Sequence, residues 1–460
     1  MARHTTHRPA LRKLAAALAV ALATGAAPAF GLDLLQSYEL ALSNDAQLRA
    51  ARARAEAGRE QVPQAIAGLL PNVGANYSRG EVDQDRTSSG VTQSLRYPTD
   101  SLTVQVVQPL YRKAGFARLD EARAQVAGSE ATLERDTQDM GSRVVAAYFD
   151  ALFQRDRLRL TQAQIANTDA QLRSARMALA AGTGTRTDID ELQARLDVLQ
   201  ADQIQVLQAI DASSQQLQVF IGQPVEALAT IREQTLSLDA FEPGELTAWQ
   251  DRALESSPEI RALEARTKQA QAAVDVARSG HHPTLDMVIR YSDSRSDTPA
   301  LVGPGGFDIK STFVGVQAQL PLYAGGRVNS EVREALARAD EAREQLAFSR
   351  QDIGVKVRRE HNAVREGIAR VRALERALAS AEQVVTSNRK GVQAGTRTTL
   401  DVLKVEQDLF NTQVELARAR YNLLVAWGRL NGLAGSLDSS EVGRINGVLA
   451  SNDGTVPTAE

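Results

Sequence analysis

The sequence predicts a mainly α-helical protein with a membrane β-barrel part and an internally duplicated plan. Three observations lead to this prediction. Segments of the second half repeat segments of the first at an offset near 212 residues, long proline-free stretches keep apolar residues at three- and four-residue steps, and shorter stretches alternate apolar and polar residues. Each half is therefore predicted to contain, in order, a helix, two strands, a very long helix, a turn and a long helix.

The duplication is visible as matched residues at a constant offset. The pairs at an offset of 212 include Ala41-Leu42 with Ala253-Leu254, Arg54 with Arg266, Gly68 with Gly280, and Pro71 with Pro283. A further match, at an offset of 211, joins residues 184–190 (GTRTDID) to residues 395–401 (GTRTTLD). A repeated turn of this kind indicates a doubled architectural unit.

These matches divide the chain into parts. The predicted parts are a first repeat (30–240) with its strand hairpin at 73–111, a linker (241–245), a second repeat (246–433) with its hairpin at 284–323, and a polar, poorly ordered tail (434–460). The linker is expected because its Pro-Gly pair interrupts helical spacing.

The first 29 residues have the layout of a secretory signal peptide. Four basic residues precede the apolar run 14–23, and Ala27-Pro28-Ala29 follows as a small-residue cleavage site. A membrane anchor is the alternative, but the apolar run is shorter than the roughly 20 residues that a spanning helix needs. We therefore expect cleavage after Ala29 and a mature protein outside the cytoplasm.

Composition narrows the possible functions. The chain has a net charge of -3 and therefore lacks the excess of basic residues that a phosphate-binding surface needs. Nucleic acid is not an expected partner. The chain has no cysteine, which excludes disulfides and thiolate metal sites. Aromatic residues make up only 4% of the chain, which favours helices that pack through thin seams of Ala, Leu and Val.

Helical spacing predicts six helical segments. They are 32–69 and 246–280 before the strands, the very long helices 115–181 and 327–394, and the return helices that end near Gly222 and Gly432. At about 1.5 Å per residue, each very long helix would reach about 100 Å, beyond the size of a compact domain.

The period changes from helical to alternating after Pro71 and Pro283. This alternation predicts strands at 73–80, 101–111, 284–292 and 312–323, joined within each half by polar loops at 81–100 and 293–311. Such strands suit a bilayer, with lipid on one face and water on the other. Four strands are too few to close a barrel, and open edges cannot lie in lipid, so several chains are expected to share one barrel.

Other readings of the sequence are weaker. His281-His282 has no third ligand at a suitable spacing, so neither a metal nor another cofactor is expected. No combination of nucleophile, base and orienting group can be assembled, so an enzyme is not expected. A periplasmic coiled-coil adaptor is the serious alternative, because it would share the signal peptide, long helices and helical turns. An adaptor should lack alternating strands inserted twice at one offset.

Three motifs stand out within the duplicated plan, namely 280–286 (GHHPTLD), 320–326 (LPLYAGG) and 395–403 (GTRTTLDVL). Together they resemble the TolC family of outer-membrane efflux proteins. The resemblance implies a homotrimer whose twelve strands form one barrel in the outer membrane of a Gram-negative bacterium, in contact with its lipid. An α-helical tunnel would continue through the periplasm. Such a channel would be the exit duct for type I protein secretion or multidrug efflux, docking with a periplasmic adaptor and an inner-membrane ABC or proton-driven pump.

The same resemblance implies a gate at the periplasmic entrance. It assigns Asp190 and Arg397 to the charged gate and Asp401 to an acidic ring at the entrance. Residues that depart from the family pattern are Ile189 in place of a threonine, Val392 in place of a tyrosine, and Lys404 in place of a second ring aspartate. The alternative for the acids is a solvated position near a helix start, where the helix dipole favours negative charge.

Overall fold

A computed structural model describes residues 31–230, 237–297 and 305–449. The predicted signal peptide lies outside these residues. The helices are α1 Leu34–Asn44, α2 Ala46–Arg59, α3 Gln61–Ala67, α4 Lys113–Ala180, α5 Arg186–Ile221, α6 Leu246–Ser256, α7 Pro258–Arg278, α8 Arg327–Gln393, α9 Thr399–Leu433 and α10 Ser439–Asn446. The strands are β1 Asn72–Ser88, β2 Val91–Arg112, β3 Thr284–Ser296 and β4 Phe307–Gln319. The predicted mainly helical, duplicated fold class is confirmed.

The chain divides into two compact units. Among the described residues, unit 1 comprises 31–49, 136–230, 237–255 and 353–449, and unit 2 comprises 50–135, 256–297 and 305–352. No helix in the described part of the chain combines the length and the apolar character needed to cross a membrane.

Unit 2 contains one antiparallel sheet in the order β1-β2-β3-β4. Asn72 lies opposite Val107, and Thr284 lies opposite Gln319. Adding the repeat offset of 212 to the first pair gives the second pair, so the two hairpins have the same register. The duplication in the sequence is therefore also a duplication in backbone pairing.

One face of this sheet is apolar across all four strands. Directly opposed residues share a face, and the apolar face carries Val73, Ala75 and Tyr77 of β1, Leu102, Val104 and Val106 of β2, Met287, Ile289 and Tyr291 of β3, and Val314 and Val316 of β4. The other face is mostly polar, with Asn76, Gln105 and Ser292 among its residues. Towards the turns of the hairpins the apolar face becomes charged. There Arg79 lies 3.5 Å from Asp100, and Arg295 lies 2.9 Å from Asp308.

The strands are longer than predicted in the first half. Residues 81–100, expected as a loop, mostly continue β1 and β2, and Ser89 and Gly90 form the turn between them. Both turn residues have positive φ, as a two-residue hairpin turn requires. The loop prediction was wrong here because polar residues can pair through their backbones as well as apolar ones. In the second half the predicted loop 293–311 is also wrong at both ends, because β3 continues to Ser296 and β4 already begins at Phe307. β4 ends at Gln319, before the predicted Tyr323, and the 298–304 part of the predicted loop lies outside the described residues.

The two predicted helices before the strands are each interrupted. Asp45 separates α1 from α2 with an extended backbone, and Ser257 separates α6 from α7 in the same way. Asp45 accepts a hydrogen bond from the backbone N–H of Leu48 at 2.6 Å, so it acts as a cap for the new helix. Pro258 begins α7, where its missing N–H costs nothing.

The core of unit 1 is centred on aromatic residues of α4 and α9. Tyr148 and Phe149 are fully buried, and the rings of Phe149 and Tyr421 are 5.9 Å apart. The Tyr148 hydroxyl lies 3.1 Å from the carbonyl oxygens of Leu32 and Ala229. It therefore holds the chain segment before α1 beside the segment that follows α5.

The expected poorly ordered tail is wrong for residues 434–449. Residues 439–446 form α10, in which Val442 and Ile445 are fully buried. Asp438 caps this helix, and the Arg444 guanidinium lies 4.7 Å from the centre of the Trp427 ring. Residues 439–446 are few and mostly polar, so the two apolar residues of this helix were not enough to predict it from helical periodicity. Residues 450–460 lie outside the described residues.

Helix α10 also completes the start of α1. The side-chain oxygen of Asn446 accepts hydrogen bonds from the backbone N–H groups of Leu34 at 3.0 Å and Leu35 at 3.4 Å. Its amide nitrogen donates to Asp33 at 3.3 Å. Two N–H groups that have no partner inside α1 are therefore bonded by a residue more than 400 positions away.

We expect Asn446→Ala to destabilise unit 1 by about 1–2 kcal/mol, because the two N–H groups lose their acceptor in a partly buried place. The measurement is the thermal unfolding midpoint in detergent, followed by circular dichroism. Asn388→Ala is the matched control, since among the described residues the Asn388 amide donates only to the carbonyl of Val384, one turn back in its own helix. Equal midpoints for the two variants would contradict this role of Asn446.

Candidate functional site: the two interhelical turns

Unit 1 contains two helix–turn–helix hairpins with turns of the same construction. The first hairpin is α4 and α5, and the second hairpin is α8 and α9. Gly182 and Gly395 follow the ends of α4 and α8 with φ of 77° and 73°. The next residues, Thr183 and Thr396, each donate a backbone N–H to the carbonyl five residues earlier at 2.9 Å. This is the Schellman arrangement that satisfies the last carbonyls of a helix.

The return helices also begin alike. Thr185 is the N-cap of α5 and accepts from the backbone N–H of Asp188 at 3.1 Å. Thr398 is the N-cap of α9 and accepts from the backbone N–H of Asp401 at 3.2 Å. Each cap satisfies an N–H group that the helix itself leaves free.

The two turns are related by an offset of 213, which corrects the predicted offset of 211. Gly182 is equivalent to Gly395, and Asp188 is equivalent to Asp401, so Asp190 corresponds to Leu403. The repeated letters GTRT match at an offset of 211, whereas the two glycines with positive φ, Gly182 and Gly395, match at 213. Ile189 and its equivalent Val402 are both buried, which agrees with the offset of 213.

Asp401 has a structural role at the start of α9. Its carboxylate accepts hydrogen bonds from the backbone N–H and the hydroxyl of Thr398, both at 3.0 Å, which completes a capping box. These hydrogen bonds, with the positive charges of Arg397 and Lys404, hold the pKa of the Asp401 carboxyl below its usual range. Lys404 is exposed one helical turn further along. The helix-start interpretation therefore accounts for Asp401 in the single chain.

Asp190 and Arg397 are not in contact within the chain. The Asp190 carboxylate is 3.1 Å from the Arg186 guanidinium on its own helix, and both side chains are exposed. Arg397 is exposed, and among the described residues it has no ion-pair partner within 4 Å. Its side chain lies over Gly391, where an added Cβ would come 2.7 Å from the Arg397 Cγ.

Of the three residues that depart from the family pattern, Ile189 and Val392 have packing and backbone roles. Ile189 belongs to a buried apolar cluster with Leu172, Leu192 and Leu196, against which Leu403 of the second hairpin packs. Val392 is partly buried, and its carbonyl accepts the N–H of Gly395 at 3.0 Å. The cluster joins the two hairpins near their turns through apolar contact.

Glu406 is the polar centre of the contact between the hairpins. This side chain of α9 is 2% exposed, and its carboxylate accepts two hydrogen bonds from Arg389 of α8, at 3.0 and 2.6 Å. It also accepts from Gln171 at 2.7 Å and from Asn167 at 3.2 Å, both on α4 of the first hairpin. One buried carboxylate therefore joins three helices, and its charge is paired as burial requires.

Glu406 was not among the residues predicted from the sequence, although the sequence contains a signal for it. Val402, Glu406 and Phe410 recur at four-residue steps along α9, and all three are buried. A carboxylate inside an apolar stripe indicates a buried ionic contact, because an unpaired charge would not be tolerated there. Its partners lie 17 or more residues away, so sequence alone could not identify them.

The sheet and the hairpins together define a class of protein. A four-stranded sheet with one apolar face, in the same duplicated chain as two long helical hairpins, is the pattern of an outer-membrane channel. The chain belongs to the outer membrane efflux protein family, whose model matches residues 37–223 and 249–436. The resemblance to the TolC family is thereby confirmed, and the adaptor alternative is not favoured.

Individual relatives and solved structures agree with this assignment. The chain is 32% identical to the proteases secretion protein PrtF of Dickeya chrysanthemi over 439 residues, which covers 94% of each chain. It is 32% identical to the alkaline protease secretion protein AprF of Pseudomonas aeruginosa, covering 90% of this chain and 86% of that one. The crystal structure of the outer membrane protein VceC of Vibrio cholerae has the same fold, with a TM-score of 0.72, 19% identity, and coverage of 88% and 97%.

The family assignment establishes the general role of the chain. It is an outer-membrane channel protein of a Gram-negative bacterium, and its family is one of transport channels rather than of enzymes. It serves export across the outer membrane.

Proposed function

We propose that three copies of this chain form one channel that acts as the exit duct of a type I protein secretion system. The observation that carries the proposal is the open sheet of unit 2. β1 and β4 are edge strands with unpaired backbone groups, and the sheet has an apolar face suited to lipid. Unpaired edges are not stable in a bilayer, and three sheets of four strands give a closed barrel of twelve.

The proposed cargo is protein rather than a small drug. Support comes from PrtF and AprF, which are named for protease secretion and match this chain over 90% or more of its length. The partners would be a periplasmic adaptor and an inner-membrane ABC pump. A proton-driven pump would replace the ABC pump if drug efflux were the main role.

Complementation separates the two roles. The chain would be expressed in a strain that lacks its own channel of this family but retains a protease, its ABC pump and its adaptor. We expect protease activity in the medium to be restored, with little change in the inhibitory concentrations of common drugs. Restored drug resistance without secreted protease would contradict the proposal and favour efflux.

We further propose that the turns of the two hairpins form the periplasmic entrance and that separating the hairpins opens it. Two contacts would have to break, namely the packing of Leu403 on the Ile189 cluster and the hydrogen bonds between Glu406 and α4. The exposed Arg397 and Asp190 would add weaker contacts, including contacts to neighbouring subunits. Asp188 also belongs to this set, because it occupies the position equivalent to Asp401.

The contacts of Glu406 predict that a substitution at this position will make the channel open more readily. Glu406→Gln keeps the side-chain size but removes the charge that Arg389, Gln171 and Asn167 share. Hydrogen bonds to charged groups contribute about 1.5–3 kcal/mol, so the closed state should lose roughly tenfold or more in population per subunit. The measurement is single-channel recording in planar bilayers, where the open probability, and with it the time-averaged conductance, should rise.

Glu415→Gln is the matched control for this variant. The Arg370–Glu415 pair joins the same two helices, α8 and α9, at 2.8 Å, but it is exposed and involves no residue of α4. We expect its conductance to stay at the parent level, whereas Arg397→Ala should give a smaller rise than Glu406→Gln. Unchanged conductance in Glu406→Gln would remove this residue from the gate.

Lys404 predicts weak block of the channel by multivalent cations. Asp401 and Lys404 are three residues apart on α9, so in a trimer three negative charges would lie within one turn of three positive charges. Convergent carboxylates bind cations, and the lysines should cancel much of that field. We expect Lys404→Asp to be blocked at lower concentrations of periplasmic divalent or trivalent cations than the parent.

The salt dependence provides the control for Lys404. The difference in blocking concentration should shrink at about 1 M salt, where the Debye length is roughly 3 Å. Equal blocking concentrations at low salt would show that Lys404 does not line the entrance.

A further inference from the structure

The junction between the two hairpins of unit 2 shows how a hairpin meets the next one. β2 and β3 are neighbours, with Val107 opposite Val288 and Tyr111 opposite Leu285. The register shifts by one residue between Pro109 and Tyr111, at a bulge that contains Leu110. In the described part of one chain this junction occurs once, because β4 is the last strand of the sheet and pairs only with β3.

The residues that make this junction have repeat equivalents at the free edges. Adding 212 to β2 residues gives β4 residues, and subtracting 212 from β3 residues gives β1 residues. The bulge sequence Pro109-Leu110-Tyr111 recurs as Pro321-Leu322-Tyr323, immediately after β4. β1 and β3 begin at equivalent residues, Asn72 and Thr284. Both free edges therefore contain the sequence elements of the internal junction.

The end of β4 differs from its equivalent in β2. β2 continues through the bulge to Arg112, whereas β4 stops at Gln319, short of the equivalent Ala324. Leu322 and Tyr323 are 90% and 88% exposed, but their equivalents Leu110 and Tyr111 are 50% and 40% exposed. The three residues Pro-Leu-Tyr are the same in both places, and among the described strands β2 has β3 beside it whereas β4 has no neighbour on that side, which agrees with the difference in exposure.

We propose that β4 of one subunit pairs with β1 of the next in the register of the internal β2–β3 junction, and that β4 then extends through Tyr323. This inference rests on the proposed trimer. Gln319 would lie opposite Asn76, Tyr323 would lie opposite Val73, and Leu322 would take the bulge position. The pairing keeps the apolar face continuous, because Ala318 would lie opposite Tyr77 on the face that carries Val106 and Ile289.

The register has a consequence for barrel shape. Across the internal junction, the row from Asn72 through Val107 reaches Val288, which is equivalent to Asn76. The pairing thus advances by four residues per hairpin. Repeating the junction between subunits continues this stagger around the barrel, as closure of tilted strands requires.

Cysteine pairs can measure the register, because the natural chain has no cysteine. Gln319→Cys would be combined in turn with Asn72→Cys, Gly74→Cys, Asn76→Cys or Ser78→Cys, all on the mostly polar face. Directly opposed Cα atoms lie about 4.5–5.5 Å apart, within the roughly 4.4–6.8 Å of a disulfide. A displacement of two residues increases the separation to about 7–8 Å.

We expect oxidation of outer membranes to crosslink Gln319→Cys/Asn76→Cys into covalent trimers at least fivefold faster than any other pair. Val107→Cys/Val288→Cys is the matched control, since it forms the equivalent bond within one chain. Fastest crosslinking with position 72, 74 or 78 would overturn the register. The absence of crosslinks in all four pairs, with the control oxidised, would overturn the β4–β1 junction.

Failure of the trimer itself is measured separately. Light scattering of the cysteine-free parent in detergent gives its mass. A trimer mass with crosslinks at another position rejects only the register, whereas a monomer or dimer mass rejects the proposed trimer and the register together.

Discussion

The structure of unit 2 depends on one constraint, which is that backbone N–H and C=O groups cannot remain unpaired in lipid. β1 and β4 each present such groups along a free edge, next to an apolar face suited to hydrocarbon. A single sheet of this kind is complete neither in water nor in a membrane. The chain meets the constraint by repetition, since both free edges carry the residues that already pair in the interior of the sheet.

Unit 1 follows a different constraint, because its helices satisfy their own backbones and are held together by side chains. The aromatic core around Phe149 and Tyr421 supplies apolar contact where the helices are well covered. Near the turns, the buried apolar cluster is small, and Glu406 supplies a directional contact between three helices. A buried ion pair adds little net stability, since its desolvation offsets much of its attraction, but the loss of one partner is costly because the other polar groups stay buried without it. Such a contact would suit the proposed entrance, which has to hold the hairpins together and also release them.

The sequence predicted the elements that depend on periodicity and repetition. Both long helices, the four strands and the doubled plan follow from patterns that local physics imposes. Strand ends in the first half were not predictable in this way, because residues 81–100 are polar and pair through their backbones. α10 was missed because its stability comes from Val442 and Ile445 meeting residues distant in sequence. The turn alignment was wrong by two residues, because letter identity competed with the backbone requirement for glycine at positions 182 and 395.

The candidate site shows the same division between local and distant information. The resemblance to the family assigned a role to charged residues at the turns. In the structure the acidic ones contact nearby residues: Asp190 forms an ion pair with Arg186, and Asp401 caps its own helix. Exposed pairs of this kind contribute under about 1 kcal/mol and are screened by salt. Glu406 is 2% exposed and therefore is screened much less. If both kinds of contact hold the entrance closed, high salt should weaken only the exposed ion pairs at the turns. The buried Glu406 carboxylate should then contribute most of the free energy that holds the two hairpins together.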